Sequence, residues 1–158
     1  MCGLTCSGKS TWASRLADEG WAWLSVDRDA WDLGHVEQPL PGPVQREIKV
    51  RHKRKLRELV AQGRDVVLDY ALPSRARRDE YRALALATGA RVELHHLDVA
   101  PDELHRRLAR RNAGPRGPHA VAVSHEQLDR WIERFEPPGE DEHPMVLLPD
   151  GAGGFRRG

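Results

Sequence analysis

The start of the chain carries its strongest chemical signal. The segment from Gly3 to Ser10 reads GLTCSGKS, which fits the pattern G-x-x-x-x-G-K-[ST]. Glycines at the first and sixth positions let the backbone turn where a side chain would clash, and the turn aims successive N–H groups at phosphate oxygens. The helix that follows adds its positive end. The segment therefore predicts a phosphate-binding loop, with Lys9 at the β- and γ-phosphates and the Ser10 hydroxyl as a ligand of Mg²⁺.

Acidic residues follow three apolar, strand-like runs, at Asp27, Asp69 and Asp98. In parallel sheets ligands bind at the carboxyl ends of the strands, so these positions are candidates for chemistry. We expect Asp27 to face the γ-phosphate, where a carboxylate accepts the proton of a substrate hydroxyl as its oxygen attacks phosphorus. Asp29 is the competing candidate for this base. The alternative for Asp27 is a helix N-cap, a position that favours Asp.

The second of these acids follows the apolar run Val66, Val67 and Leu68. Asp69 in that position is typical of the Walker B arrangement, in which a carboxylate holds Mg²⁺ directly or through water. Orientation of a substrate and a plain turn are the alternatives. Asp98 precedes a predicted helix and is interpreted as a turn residue.

Arginines are concentrated on a predicted helix that leads into a segment rich in proline and glycine. Arg107 and Arg111 are four residues apart and share one face of that helix. Guanidinium groups stabilise the charge that phosphoryl transfer spreads over the phosphate oxygens, so the helix is interpreted as part of a closing lid. The alternative is that all four arginines, Arg106, Arg107, Arg110 and Arg111, form a solvated basic face with Glu103 as partner. A second basic cluster, near the presumed substrate side, consists of Arg75, Arg77 and Arg78.

The elements that must position these residues alternate between strand and helix, which predicts an α/β fold with a mostly parallel sheet and helices on both faces, in three layers. We expect one domain over residues 1–158, with a lid around 104–123. An edge strand is predicted at 91–97, and the glycine-rich tail is expected to fray. Helices are predicted at 10–19, 27–33, 44–61, 74–88, 101–112 and 124–135, and further strands at 21–26, 65–69 and 145–148.

The phosphate-binding loop normally follows a buried central strand, yet only Met1 and Cys2 precede Gly3. Two residues do not make a strand of the usual five or six. The two readings are a chain that begins upstream of Met1 and a sheet that lacks its middle strand. The first is favoured, and apolar upstream residues are then expected to raise stability.

Composition limits the classes of partner. A net charge of +1 gives the whole molecule no preference for nucleic acid, and the basic run from Arg51 to Lys55 is more typical of the wet face of a helix. Apolar runs are too short for a membrane span, and the first residues lack the apolar core of a signal peptide. Cys2 and Cys6 are expected to be free thiols, so we expect a cytoplasmic protein. Trp31, near the candidate base, is a candidate for stacking on a substrate ring.

Taken together, these motifs resemble those of the small P-loop kinases, within the group that contains the kinase domain of polynucleotide kinase, chloramphenicol phosphotransferase and the zeta-type toxins. The resemblance covers nearly the whole chain. The segments that carry it are GLTCSGKSTWA (Gly3 to Ala13), LSVDRDAW (Leu24 to Trp31), VVLDYALPSRARRDEYRAL (Val66 to Leu84), LHRRLARRN (Leu104 to Asn112) and FEPPGEDE (Phe135 to Glu142).

This resemblance implies binding of ATP and Mg²⁺, with Asp27 as base and Arg111 as a lid arginine. Alignment with polynucleotide kinase would instead put the base at Asp29, and Asp32 then stands where that enzyme has an arginine. The nucleotide contacts that it implies are Gly3, Leu4, Thr5, Cys6, Ser7, Gly8, Lys9, Ser10 and Thr11.

The function expected from the sequence is therefore that of an ATP-dependent kinase that transfers the γ-phosphoryl group to a hydroxyl of a small molecule. A nucleic-acid 5′-hydroxyl kinase is the first alternative, less favoured, and it requires the basic run from Arg51 to Lys55 near the mouth of the cleft. The second alternative is an ATP-binding switch or ATPase that positions water and transfers nothing to a substrate. The identity of the acceptor and the oligomeric state are not predicted.

Overall fold

The structure is a computed structural model, and it describes residues 1–36, 39–114, 122–150 and 154–158. Helices and strands alternate along the chain, as the sequence predicts. The helices are α1 (Lys9–Asp18), α2 (Val26–Asp32), α3 (Gly42–Ala61), α4 (Arg75–Leu86), α5 (Pro101–Ala113) and α6 (His125–Glu133), with a 3-10 turn at Glu140–Glu142. The strands are β1 (Ala22–Ser25), β2 (Val66–Asp69), β3 (His95–Leu97), β4 (Met145–Pro149) and β5 (Phe155–Arg157).

The strands form two pieces of sheet that the first residues of the chain connect. Strand β1 pairs in parallel with β2, and β3 pairs in parallel with β4, whose other side pairs antiparallel with β5. Cys2 exchanges backbone hydrogen bonds with β3, from its own N–H to His95 at 2.8 Å and from the N–H of Leu97 at 2.9 Å. On the other side the α-amino group of Met1 donates to the carbonyl of Leu68 at 3.0 Å. Residues 1–2 therefore occupy the position between β2 and β3.

Alternating side chains of β2 show that helices cover both faces of the sheet. Val67 packs with residues of α1 such as Ala13 and Leu16, whereas Val66 packs in a different cluster with Leu56 of α3. Successive side chains in a strand point to opposite faces, so α1 and α3 lie on opposite sides of the sheet. This arrangement confirms the predicted α/β fold with a mostly parallel sheet and helices in the outer layers.

Serine residues begin several of these helices. The side chains of Ser25, Ser74 and Ser124 accept hydrogen bonds from the backbone N–H three residues later, at the starts of α2, α4 and α6. Each bond satisfies one of the donors that a helix start leaves unpaired, which fixes where the helix begins. Proline at the first turn of α3 and of α5 serves a related purpose, because its ring presets the helical φ angle.

Two predictions about strands are wrong. The strand predicted at 91–97 is limited to His95–Leu97, and it is flanked by Cys2 on one side and β4 on the other, so it is not at an edge. Its three residues are buried, because both of its faces are covered. The tail expected to fray instead contributes β5, which pairs with β4.

The predicted lid around 104–123 is described only in part. Helix α5 extends to Ala113, and residues 115–121 lie outside the described residues, as do 37–38 and 151–153. In the part of the chain that the structure describes, no helix is long and apolar enough to cross a bilayer.

Candidate nucleotide-binding site

The loop from Gly3 to Gly8 has backbone angles that glycine adopts readily. Gly3 has φ +149° and Gly8 has φ +98°, values that L side chains rarely adopt. A Cβ atom on Gly3 would lie 2.9 Å from Ser7 Oγ and 3.0 Å from the carbonyl oxygen of Leu97, and one on Gly8 would lie 2.5 Å from the ring of Phe155. Space and backbone both require glycine at these two positions, so the loop keeps its tight turn against β3 and β5.

Two polar side chains of the loop are held inside it. Lys9 donates from Nζ to the carbonyl oxygen of Leu4 at 2.7 Å. Burial lowers the pKa of Lys9 from its ordinary value, and the nearby carboxylates of Asp69 and Asp27 offset part of that effect. Ser7 is 1 % exposed, and its hydroxyl has no hydrogen-bond partner within the described residues. The ammonium group of Lys9 is therefore desolvated beside the loop, where its attraction for an anion is strong.

Ser10 and Asp69 meet at the carboxyl end of β2. Ser10 donates from Oγ to Oδ2 of Asp69 at 2.8 Å, and Trp23 donates from its ring nitrogen to the same oxygen at 3.3 Å. Hydroxyl and carboxylate oxygens are ligands that Mg²⁺ prefers, and this ion is commonly held by one or two protein groups together with substrate phosphates. Across the described ranges no three His, Cys, Asp or Glu residues form a metal cluster. The pair fits a Mg²⁺ ion shared with a nucleotide.

Asp27 and Asp29, the two candidates for the base, have different surroundings. Asp27 lies in the first turn of α2 and lines the cleft that the phosphate loop opens into. The N-cap of this helix is Ser25, so the alternative interpretation of Asp27 as the cap is wrong. Asp29 is bound instead to Arg51 and, at 2.8 Å, to Nε2 of His52.

The environment of Asp29 stabilises its charged form. Burial raises the pKa of its carboxyl, but hydrogen bonds from His52 and Arg51 outweigh burial and hold that pKa below its ordinary value. His52 in turn contacts the hydroxyl of Tyr70 through Nδ1 at 2.6 Å. Asp29 is thus one end of a chain of hydrogen bonds that holds α2 in position against α3 and against Tyr70, the residue after β2.

The arginines of α5 divide between two faces of the helix. Arg107 donates to the carbonyl oxygens of Cys6 and Ser7 at 3.3 and 3.4 Å, and Arg111 lies 4.0 Å from the Cys6 sulfur. Both line the cleft. Arg106 and Arg110 are exposed and face Glu103, which also accepts from Arg107. The solvated-face interpretation therefore describes Arg106 and Arg110, whereas Arg107 and Arg111 lie beside the phosphate loop.

The second basic cluster does not act as one group. Of its three arginines, Arg77 lines the cleft. Arg75 is on the surface and pairs with Asp79 and with Asp141 at 2.7 Å. Arg78 is buried and forms a bidentate ion pair with Glu142 at 2.6 and 2.9 Å. The prediction that all three lie near the substrate is wrong for Arg75 and Arg78, because their charges are already matched elsewhere.

The cleft between these elements has a volume of about 750 Å³, within the range of small-molecule sites. Trp31 is half-buried on α2 and lies outside the cleft lining formed by the described residues, so the structure gives no support to its predicted stacking role. Sequence reasoning missed several lining residues that come from α3, α4 and α6 and from the end of β2. These are Gln45, Lys49, Tyr70, Glu80, Tyr81, Trp131 and Arg134, whereas Lys53 was named within the basic run from Arg51 to Lys55.

The four-residue spacing of Gln45, Lys49 and Lys53 was a usable signal that these three lie together. Positions four apart lie on one face of a helix, so these side chains point to the same side of α3. The other missed residues have no such local pattern, because they reach the cleft only through packing of distant segments.

Comparison with known proteins agrees with this fold and loop. The sequence model of a family described as an AAA domain matches residues 1–138. The chain therefore has the fold and phosphate loop of a P-loop nucleotide-binding protein, and it belongs to that AAA domain family. Among solved structures, the crystal structure of APE1195 is similar, with a TM-score of 0.57 and 24% identity over 96% of this chain and 83% of that chain. No curated protein matches significantly.

Proposed function

We propose that the protein is an ATP-dependent kinase that transfers the γ-phosphoryl group to a hydroxyl of a small molecule. One observation carries the proposal: the cleft that the phosphate loop lines is also lined by Asp27. A phosphate-binding loop alone fits any nucleotide-binding protein. A carboxylate in the same cleft supplies the proton acceptor that transfer to a hydroxyl uses.

Each residue has a separate part in the proposed reaction. The acceptor oxygen attacks the γ-phosphorus while the bond from that phosphorus to the β–γ bridging oxygen breaks, and ADP leaves. The carboxylate of Asp27 takes the hydroxyl proton. The N–H groups of the loop and the ammonium of Lys9 hold the phosphates. Bound Mg²⁺, held by Ser10 and Asp69, would supply further positive charge at the phosphate oxygens.

Arginines from α5 complete the positive surroundings of the phosphates. Arg107 and Arg111 line the cleft beside the loop, and their planar, charged groups match the developing charge on phosphate oxygens. In the proposed role they stabilise the transferred group, so each is expected to affect turnover more than ATP affinity.

A phosphate-transfer screen tests the proposal. ADP formation is measured with and without nucleosides, aminoglycosides, chloramphenicol-like alcohols and oligonucleotides with 5′-hydroxyl ends, and ³¹P NMR identifies any phosphorylated product. Turnover that depends on a small hydroxyl compound supports the proposal. Turnover that requires an oligonucleotide favours the nucleic-acid kinase. Slow ADP formation that is the same under every condition, with no phosphorylated product, favours the switch or ATPase.

A further inference from the structure

The side of the cleft formed by α3 and α4 carries more positive charge than its own carboxylate balances. Among the described residues of α3 and α4, Lys49, Lys53 and Arg77 line the cleft, and Glu80 is the one carboxylate that does. Glu80 accepts from Lys53 and, at 2.8 Å, from Arg77. Lys49 donates to the neutral amide oxygen of Gln45 at 3.2 Å. Three cations thus share one anion within this group of side chains.

A purely structural contact between α3 and α4 would not need this excess of positive charge, which is unfavourable in itself. The ion pair of Lys53 and Glu80 already joins α3 to α4. Lys49 adds another positive charge beside this pair and no negative charge. Burial lowers the pKa of Lys49, the positive charges of Arg77 and Lys53 lower it further, and Glu80 offsets part of the effect. Like charges gathered in a cleft raise the local concentration of anions, so the arrangement favours a negatively charged ligand.

Resting on the proposed kinase function, we propose that the acceptor is a small molecule with an anionic group, a phosphate or carboxylate, bound by Lys49, Lys53 and Arg77. These cations would orient the acceptor so that its hydroxyl meets Asp27, which lines the same cleft. Neutral alcohols lack this contact and are expected to be poor acceptors.

The rest of the basic run argues for a small anion over a nucleic-acid backbone. Arg51 pairs with Asp29, and Arg54 lies 3.6 Å from Glu58. Lys55 is exposed and lies outside the cleft lining formed by the described residues. Of the run from Arg51 to Lys55, the structure therefore places Lys53 in the cleft, and a backbone of successive phosphates would need a continuous track of such cations.

Calorimetry in two steps tests this assignment. The full chain is first titrated with Mg²⁺ and a non-hydrolysable ATP analogue, and the loaded protein is then titrated with inorganic phosphate and, separately, with acetate. We expect saturable binding of at least one of these anions to the loaded protein. Lys49→Gln should weaken it about tenfold, the lower end for loss of a hydrogen bond to a charged group, and leave analogue binding unchanged. Arg77→Gln should act in the same direction.

The matched control is Lys55→Gln, which removes the same charge from the same helix outside the cleft and should change neither titration. Three results would overturn the inference: no saturable anion binding by the loaded protein, an equal loss in Lys49→Gln and Lys55→Gln, or a loss of analogue affinity in Lys49→Gln. If a 5′-hydroxyl oligonucleotide displaced phosphate with an affinity that rises with its length, the acceptor would be a nucleic acid and not a small molecule. If the ATP analogue does not bind in the first titration, the proposed kinase function is rejected instead.

Discussion

The two sides of the cleft are built in different ways. The phosphate side is a contiguous segment, from Gly3 to Ser10, whose glycines and lysine act within a few residues of one another. The acceptor side takes Asp27 from α2, Lys49 and Lys53 from α3, and Arg77 from α4. The first side is therefore encoded by local spacing, and the second by how three helices pack. A change on one side should leave the other largely intact, and this independence can be tested.

Removal of the loop lysine should have the largest effect on catalysis. Lys9→Ala removes the ammonium group beside the phosphates, and we expect turnover to fall about 10³-fold, as for loss of one charged or hydrogen-bonding group in a preorganised site. Unfolding temperature should change little, because the hydrogen bond that Lys9 donates goes to the carbonyl of Leu4 within the same loop. Steady-state kinetics and thermal melting measure both effects, with Lys55→Ala as control. Full activity in Lys9→Ala would refute the nucleotide site.

In α4, which also carries Arg77, the largest expected effect is on stability and comes from a contact outside the cleft lining. Arg78 and Glu142 form a buried ion pair, with side chains 2 % and 1 % exposed, and Arg78 also donates to the carbonyl of Glu136 at 2.7 Å. Arg78→Met leaves the carboxylate of Glu142 buried without its bidentate partner. We expect the free energy of unfolding to fall by about 3 kcal/mol, measured by urea denaturation. Analogue affinity of the remaining folded protein should be unchanged, because the phosphate loop is not part of this contact.

Two variants separate this mechanism from a loss of packing. Arg78→Met with Glu142→Leu removes both charges and should be more stable than Arg78→Met alone. Arg75→Met removes from the same helix an exposed arginine that lies 3.8 Å from Glu142, and it should change stability little because exposed ion pairs contribute little. If the double variant were less stable than the single one, the buried pair would not be the cause.

Substitutions of Asp27 and of Asp29 test the region where the phosphate side and the acceptor side of the cleft meet. Asp27→Asn keeps the shape of the side chain but removes the proton acceptor, and we expect turnover to fall about 10²-fold with ATP affinity unchanged. Asp29→Asn weakens the contacts to Arg51 and His52, so its main effect should be on stability. Rapid-quench kinetics and denaturation curves of both variants measure this. If only Asp29→Asn slowed phosphoryl transfer, the base would be Asp29.

Sequence reasoning recovered what local signals encode. The positive-φ glycines of the loop, the acids that follow β1 and β2, and the alternation of strands and helices were all predicted from spacing and residue type. The errors concern features that depend on contacts between residues far apart in the sequence. Residues 91–97 alternate in polarity like an edge strand, yet Cys2 pairs with His96 on the side that an edge strand would leave free. The arginines at 75, 77 and 78 look alike in sequence, and only the positions of Asp141 and Glu142 separate their roles.

The smallest predicted effect concerns the pH dependence of stability and one buried histidine. His96 is buried on β3, where burial lowers its pKa from 6.5, with Asp98, Glu142 and Arg78 as the charged groups that act on it. Below about pH 6.5 the unfolded chain therefore binds more protons than the folded one, so stability falls as the pH falls. The loss per buried histidine is at most about 1.4 kcal/mol per pH unit.

A comparison of two proteins isolates this contribution from other titrating groups. Urea denaturation at pH 7.5 and 5.5 is measured for the original chain and for His96→Phe, which keeps an aromatic ring next to Phe135. We expect the original chain to lose more unfolding free energy between these pH values than the variant does. His143→Asn, at an exposed position, should retain the original dependence. Equal losses in the original chain and His96→Phe would mean that His96 does not couple folding to pH, and that its place beside Cys2 is one of packing alone.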